Sequence, residues 1–312
     1  MAPAPLAHSF LSLRAQAPEY GWLLPALACL PDAMSYPIAH WRGRWNARLD
    51  RDWVSLSLGH RHVAALAAQG YAQFLTAEQV QDALVERFET VAREEMESRA
   101  LQLHGLGHFR VDAAEALARL AQRPRDRGLV LVTAHLETFV LGIAALAANG
   151  ERIHPVMSSV SEDPRVAPAV RAHFRLKYSG LQRHLQGGQL ADAETSMRYF
   201  YRVLAQGDVV VVLADAPAPP GGPGVCVPWM GAQRLVAQGA LRLATQSNSL
   251  LAAFACHSSG ARRHTVALSA LTDPRSDAQG CYAQAFAFME EHIRMRPGRW
   301  WASHLLPLFA TC

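Results

Sequence analysis

The sequence predicts an α/β fold: a mixed, largely parallel central sheet flanked by helices and preceded by a helical N-terminal region. In the later two thirds of the chain, short apolar runs of strand length alternate with segments whose apolar residues recur at helical spacing. The chain has 312 residues, half of them hydrophobic, and is therefore long enough to bury a substantial core. We expect a helical region over residues 1–100 and an α/β core over residues 101–312.

The N-terminal region contains one clear helix signal and one ambiguous segment. Residues 76–101 open with Thr-x-x-Gln, a capping signal, and then keep apolar residues at helical spacing. Residues 20–46 surround three tryptophans and two arginines with apolar side chains: Trp22, Trp41, Trp45, Arg42 and Arg44. Such a segment suits a membrane interface, and it equally suits ordinary helices packed on the core. No stretch approaches the ~20 apolar residues of a transmembrane helix.

The core region alternates strands with helices. We predict strands over 103–111, 129–135, 153–160, 208–215, 250–257 and 264–271. Helices are predicted over 112–122 with Asp112 as N-cap, 138–150 with Gly150 as C-cap, within 161–180 from near Pro164, and over 196–207, 234–248 and 283–303. The proline- and glycine-rich stretch 216–225 is predicted to be a loop. This alternation is typical of a sheet covered by helices.

Composition excludes several classes of protein. Five dispersed cysteines predict no disulfide framework and no CxxC metal site, which makes a reducing cytoplasm the default location. The net charge of +4 is mild, and no nucleic-acid module or nucleotide-binding glycine motif occurs. Only 18% of the residues are charged, which suggests an apolar ligand, a membrane or a protein partner.

Two polar residues stand where predicted strands end. His135 follows the apolar run 129–134, and Asp215 ends the run 208–215. Ligands of open α/β sheets bind beyond the carboxyl ends of the strands. A histidine there suits general-base catalysis near neutral pH when an acid fixes its tautomer. The alternative is a histidine satisfied by backbone groups at the turn.

Four segments in order resemble the bacterial lipid A biosynthesis acyltransferases, which transfer lauroyl and myristoyl chains. They are LHGLGHFRVDAAEALARLAQRPRDRGLVLVTAHLETFVLG, MRYFYRVLAQGDVVVVLAD, VCVPWMGAQRLVAQGALRLATQSNSLLAAFACH and RPGRWWASHLLPLF. The resemblance covers roughly residues 100–310. It implies a glycerolipid-acyltransferase-like core and transfer of an acyl chain from an acyl carrier protein or coenzyme A thioester to a hydroxyl or amine.

The resemblance also implies roles for particular residues. His135 matches the catalytic base, and Asp215 matches the acid at a strand end. Arg171, or less well Arg165, matches an arginine that stabilises the oxyanion or binds phosphate. We also take Arg165, Trp229 and Trp300 as candidate substrate-binding residues, with core packing as the alternative for the two tryptophans. We expect no metal and no cofactor.

One departure from the family's pattern bears on catalysis. The family's carboxylate lies five residues after the histidine, where this chain has Val140. Glu137 is the nearest acid, and it reaches the ring only if residues 135–137 are extended. Three outcomes stay open: Glu137 substitutes for the missing acid, a distant acid such as Asp215 does, or the protein is a weak or inactive relative.

The absence of a transmembrane helix leaves the acceptor open. The candidates are a lipid, a carrier-bound polyketide or aryl polyene intermediate, a glycolipid, or an amine. We expect a cytoplasmic protein with peripheral contact at the inner membrane as one option. The rival functions are a non-catalytic subunit that binds acyl chains or carrier proteins, and a thioester hydrolase in which His135 activates water.

Overall fold

The α/β fold predicted from the sequence is confirmed in the computed structural model, which describes residues 16–54, 63–157, 161–192, 196–219 and 221–312. Its central sheet has seven strands in the order β1-β9-β8-β2-β5-β3-β4. Their bounds are β1 Arg110–Asp112, β2 Leu129–Thr133, β3 Ile153–Met157, β4 Ala191–Asp192, β5 Val209–Leu213, β8 Leu250–Gly260 and β9 Arg263–Leu268. All neighbouring pairs are parallel except β8 with β9. The sheet is therefore largely parallel, as predicted.

Strand β2 lies at the centre of the sheet, between β8 and β5. Its five residues LVLVT are all buried, because helices cover both faces of the sheet. Residues of alternating parity contribute to the two core clusters: Val130 and Val132 pack on one face, Leu129 and Leu131 on the other. This burial on both faces explains why the run is continuously apolar rather than alternating.

The described residues contain ten α-helices. They are α1 Leu24–Cys29, α2 Asp32–Leu49, α3 Val63–Tyr71, α4 Ala77–His104, α5 Ala114–Leu120, α6 Phe139–Ala147, α7 Pro168–Gln182, α8 Met197–Ala205, α9 Gly239–Gln246 and α10 Ala278–Met295. Helix α4 begins with the predicted capping box, in which Thr76 and Gln79 bond each other's backbone N–H groups. The predicted boundary at residue 100 falls inside α4, and the division into two regions stays a prediction.

The predicted caps Asp112 and Gly150 lie just outside the capping positions of α5 and α6, and three predicted elements differ more in the structure. The strand over 103–111 is only β1, because α4 continues to His104 and a 3-10 turn follows at Leu106–His108. The helix over 234–248 is α9 alone; the residues before it form a hairpin of β6 Gly224–Trp229 and β7 Ala232–Ala237. The last helix ends at Met295 and is followed by 3-10 turns at Pro297–Arg299 and Ser303–Leu308.

Turn chemistry explains the hairpin that the periodicity missed. Met230 and Gly231, between its strands, have φ of 49° and 78°, and a two-residue turn of type I′ requires positive φ at both positions. The apolar residues of β7 also fit a helical spacing. This segment forms a strand rather than a helix because it pairs with β6 over six residues.

One pair of cysteines forms a disulfide, although the dispersed cysteines of the sequence predict no disulfide framework. Cys226 in β6 bonds Cys312, which is 86 residues further along the chain. The C-terminal tail runs beside β7, where the Leu235 N–H donates to the Ala310 carbonyl and the Cys312 N–H donates to the Gln233 carbonyl. The two thiols therefore meet through tertiary pairing that cysteine spacing does not encode.

Candidate active site

The pairing of β2 with β5 brings two strand-end residues together. Thr133 and Leu213 are partners in this parallel ladder. Two residues beyond them, the two segments reach His135 and Asp215. The Ala214 N–H donates to the Thr133 carbonyl at 2.9 Å, so the two chains still run side by side beyond the strands. The side chains of His135 and Asp215 consequently lie at the same edge of the sheet.

The carboxylate of Asp215 holds His135 by its backbone and by its ring. Oδ1 lies 2.8 Å from His135 Nδ1, and Oδ2 accepts from the His135 backbone N–H at 2.8 Å and from the indole N–H of Trp300 at 2.7 Å. A carboxylate only accepts hydrogen bonds, so Nδ1 carries a proton, and in the neutral form of the ring Nε2 has the free lone pair. Burial by itself would raise the pKa of Asp215, but the charge of His135 and these hydrogen bonds outweigh it and lower that pKa.

The His135 ring is about a quarter exposed and borders an apolar cavity of about 380 Å³. Helix α6 supplies Phe139, Val140 and Ile143 to the cavity wall; β3, β5, α7 and the segment 301–305 supply most of the remainder. The indole of Trp301 lies edge-on to the His135 ring, with 4.6 Å between ring centroids. A titratable ring at the mouth of an apolar cavity is the usual composition of a site that binds an apolar substrate and acts on its polar end.

Glu137 does not bond the His135 ring. Its carboxylate is fully buried and accepts from Arg93 Nη2 at 2.6 Å, Arg299 Nη1 at 2.8 Å and the Ser258 backbone N–H at 2.7 Å. Burial alone would raise its pKa, but His257, Arg93 and Arg299 lower the pKa to about 2. Its backbone has φ of 46°, a left-handed conformation that is costly for a glutamate and persists because these contacts hold it. Of the acids considered from the sequence, the structure therefore places Asp215, not Glu137, on the ring.

The remaining candidates lie apart from the cavity, or behind its wall. Arg171 is half-buried on α7 and does not line the cavity; Arg165 is exposed and pairs with Asp163. Trp229 is fully buried and packs edge-on against Phe286 and Trp300, so the structure places it in the core. Trp300 is also buried, and its indole contacts Asp215.

A short strap, residues 299–301, crosses the turn that carries His135. Trp301 N–H donates to the His135 carbonyl, Leu136 bridges Trp300, and the Glu137 N–H donates to the Arg299 carbonyl. This antiparallel pairing places Trp300 behind Asp215 and Trp301 in the cavity wall. The strap explains how a segment 165 residues away in sequence shapes the surroundings of His135.

Among the residues of the cavity wall that the sequence did not indicate are Lys177, Trp301 and His304. Lys177 of α7 is buried, donates to Glu94 at 2.5 Å and lies over the ring of Phe139. His304 and Trp301 come from the C-terminal segment. Burial lowers the pKa of His304 to about 4, with Arg87 adding to the effect. The helical spacing of Phe174, Lys177 and Leu181 is the one sequence signal that could have placed Lys177 on an apolar face.

Comparison with known proteins identifies one family. Residues 117–309 match the family model described as bacterial lipid A biosynthesis acyltransferase. The match includes His135, Asp215 and the strap. No curated protein matches the chain. Within the described ranges, His, Cys, Asp and Glu side chains do not gather into a group that could hold a metal ion.

We expect Glu137→Gln to destabilise the protein at neutral pH by about 3 kcal/mol, because Arg93 and Arg299 would lose a buried counter-charge. The folded-state pKa of Glu137, about 2, lies below the usual 4.5. Its stabilisation is therefore present above pH 4.5 and is lost as the pH falls towards 2. Urea unfolding at several pH values should show a smaller loss of stability between pH 4.5 and 2 in the variant. Equal losses in both proteins would contradict the assignment.

Proposed function

Because the chain belongs to the bacterial lipid A biosynthesis acyltransferase family, we propose that it moves a fatty or polyketide-type acyl chain from a thioester donor to a hydroxyl or amine acceptor, with His135 as general base. The donor in this proposal is an acyl carrier protein or acyl-CoA. One observation supports the proposal most directly: a histidine oriented by a buried carboxylate opens onto a large apolar cavity.

Asp215 takes the part that the family assigns to a carboxylate on the helix after the histidine. In this chain that helical position is Val140, which lies in the cavity wall. The bond from Nδ1 to Asp215 fixes the ring and leaves Nε2 as the proton acceptor. The Asp215 carboxylate also stabilises the imidazolium that forms when Nε2 takes a proton. Glu137 acts in this proposal only as a positioning residue, through Arg299 and the strap.

The proposed reaction balances with this one base. His135 Nε2 accepts the proton of the acceptor's hydroxyl or amine while its oxygen or nitrogen attacks the thioester carbonyl carbon. The tetrahedral intermediate then collapses, the carbon–sulfur bond breaks, and the leaving thiolate takes the proton from His135. Neither a redox change nor a metal enters this sequence of steps, and the proposal includes no cofactor.

In the proposed reaction, the amino end of α6 stabilises the negative charge that develops on the thioester oxygen. Helix α6 begins at Phe139, four residues after His135, and Phe139 and Val140 both border the cavity. The positive end of a helix dipole favours negative charge nearby, such as that on the thioester oxygen in the intermediate. Arg171 and Arg165 receive no step, because neither lines the cavity.

The exposed face of the N-terminal helices fits peripheral contact with a membrane. Trp41 and Trp45 stack on α2 with ring centroids 6.0 Å apart, and Met34 and Leu49 are exposed on the same helix. Trp22 is 80% exposed. Arg44 and Arg48 are exposed on the same helix and suit an anionic headgroup layer, whereas Arg42 is buried against Glu19 and Glu95. No helix in the described part of the chain is both long and apolar enough to span a bilayer. We therefore include contact at the cytoplasmic face of the inner membrane in the proposal, with a lipid or small-molecule acceptor.

Replacement of His135 tests the catalytic proposal. We expect His135→Ala and Asp215→Asn each to lower acyl transfer from an acyl-CoA by about 100-fold or more, because the first removes the base and the second removes its orienting carboxylate. Thiol release, measured with and without an alcohol or amine acceptor, provides the assay. His184→Ala is the control.

Two results would redirect the proposal. Activity retained in His135→Ala would remove this histidine from the mechanism. Thiol release that is equally fast without any acceptor would favour the thioester hydrolase, in which water takes the acceptor's place.

Filling the cavity should shorten the preferred acyl chain. Ile143 lies one helical turn beyond Val140, further along α6 from His135, so Ile143→Trp should obstruct the part of the cavity that the distal end of a long chain occupies. We expect kcat/KM for long-chain donors to fall by about tenfold or more relative to short-chain donors. Ile143→Leu, of the same volume, is the matched control. An unchanged ratio between long and short donors would place the chain elsewhere.

Membrane contact is tested by sedimentation with vesicles that contain anionic lipid. We expect the double variant Trp41→Ser/Trp45→Ser to bind about tenfold more weakly, because two amphipathic rings are lost from the contact face. Met295→Ser removes an exposed apolar side chain from α10 and should bind like the wild type. Equal binding by all three proteins would assign the tryptophans another role.

A further inference from the structure

A second cleft, of about 350 Å³, opens beside Glu137 and differs in character from the apolar cavity. Its lining includes three arginines, Arg93, Arg296 and Arg299, and two serines, Ser258 and Ser259. None of its described lining residues is acidic. The cleft lies at the carboxyl end of β8, whereas the apolar cavity lies over β5 and β3.

The strap contributes residues to both the apolar cavity and the second cleft. In the antiparallel pairing of the strap with the turn after β2, Trp301 lies beside His135 and Arg299 lies beside Glu137. Trp301 lines the apolar cavity and Arg299 lines the second cleft. Arg299 of the cleft is therefore opposite Glu137, which is only two residues along the chain from the candidate base His135.

The three arginines are held by carboxylates that do not themselves line the cleft. Glu137 bonds Arg93 and Arg299, and Glu86 bonds Arg296 and Arg299. Glu97 also lies 3.9 Å from Arg93 Nε, so three carboxylates hold the three guanidinium groups, but only the guanidinium groups line the cleft. Arg93 is more than nine-tenths buried, which makes the cleft a built feature rather than a chance meeting of mobile surface side chains. Arg296 remains more than half exposed and is accessible to a ligand.

The adjacent β8–β9 hairpin adds polar groups at the same place. The pairing of β8 with β9 passes from Ser258 opposite His264 to Gly260 opposite Arg263, so Ser259 is the extra residue of a bulge. A bulge leaves its extra residue outside the ladder and redirects the local backbone. Ser259 is exposed and borders the cleft. Its hydroxyl supplements the arginines as a hydrogen-bond donor.

We propose that this cleft binds a phosphate ester of one of the two substrates. Guanidinium groups match phosphate oxygens with paired hydrogen bonds, which suits both phosphate monoesters and phosphodiesters. Two sources share this chemistry: the phosphate of the donor's phosphopantetheine arm, and a phosphorylated headgroup on the acceptor. The proposal rests on the transfer reaction proposed above for its substrates, but the binding of phosphate itself does not require catalysis.

Binding of inorganic phosphate to the full chain tests the cleft without turnover. Titration calorimetry at constant ionic strength should give a dissociation constant that rises about fivefold or more in Arg296→Gln, because one charge-assisted contact is lost. Arg294→Gln is the matched control: Arg294 is two residues away, exposed and paired with Glu290. An absence of phosphate binding, or equal binding by both variants, would overturn the proposal.

One experiment tests the donor as the source of the phosphate. It compares acyl-phosphopantetheine with acyl-pantetheine, which lacks the phosphate, as acyl donors. A donor phosphate in the cleft should give the wild type a higher kcat/KM for the first compound, and Arg296→Gln should remove that advantage. A second experiment tests the acceptor as the source. It asks whether a phosphorylated acceptor loses its higher kcat/KM, relative to the dephosphorylated form, in the same variant. If Arg296→Gln changes neither comparison, the cleft does not serve the substrates and the proposal fails.

Failure of the catalytic proposal would look different. If His135→Ala retains activity while phosphate binding still depends on Arg296, the cleft stands and only the assignment of the base is lost.

Discussion

The parallel pairing of β2 with β5 is the constraint on which the rest of the site depends. It sets His135 and Asp215 at equal distances beyond paired residues, so that one carboxylate reaches both the ring and the backbone N–H of the histidine. Strand β2 is buried on both faces and has a neighbour on each side. A slip by one residue would turn every side chain of the strand to the opposite face, so the packed core fixes this register. The cohesion of the core thereby fixes the geometry of the pair.

The second level of organisation is the strap over the turn after β2. One segment places the Trp300 indole on Asp215, the Trp301 N–H on the His135 carbonyl and the Arg299 guanidinium on Glu137. Glu137 therefore influences the His135 site without touching its ring. The buried ion pairs of Glu137 also account for its left-handed backbone, since a conformation that costs free energy persists only where its surroundings determine it. Val140 lies in the wall of the apolar cavity, whereas Glu137 bonds two arginines of the charged cleft.

This separation gives the carboxyl edge of the sheet two chemically distinct halves. Apolar residues of α6, α7, β3 and β5 surround the cavity, and arginines from α4 and the strap region line the cleft. A thioester substrate has the same division, with a hydrocarbon chain on one side of its reactive carbon and a polar carrier arm on the other. In the proposed reaction the carbonyl lies beside His135, where the two halves meet.

The sequence alone determined the fold class, the strand-end positions of His135 and Asp215, and the resemblance to the family, because apolar runs, turn residues and short motifs are local features. Tertiary structure decided which acid contacts the ring. Local spacing favoured Glu137, two residues away, but the His135 ring bonds Asp215, 80 residues away. Strand pairing, and not distance in sequence, decides which side chains meet at the edge of a sheet. The same reason explains the disulfide of Cys226 with Cys312, the β6–β7 hairpin and the place of Trp229 in the core. Each of these depends on contacts between segments that lie side by side only after the chain has folded.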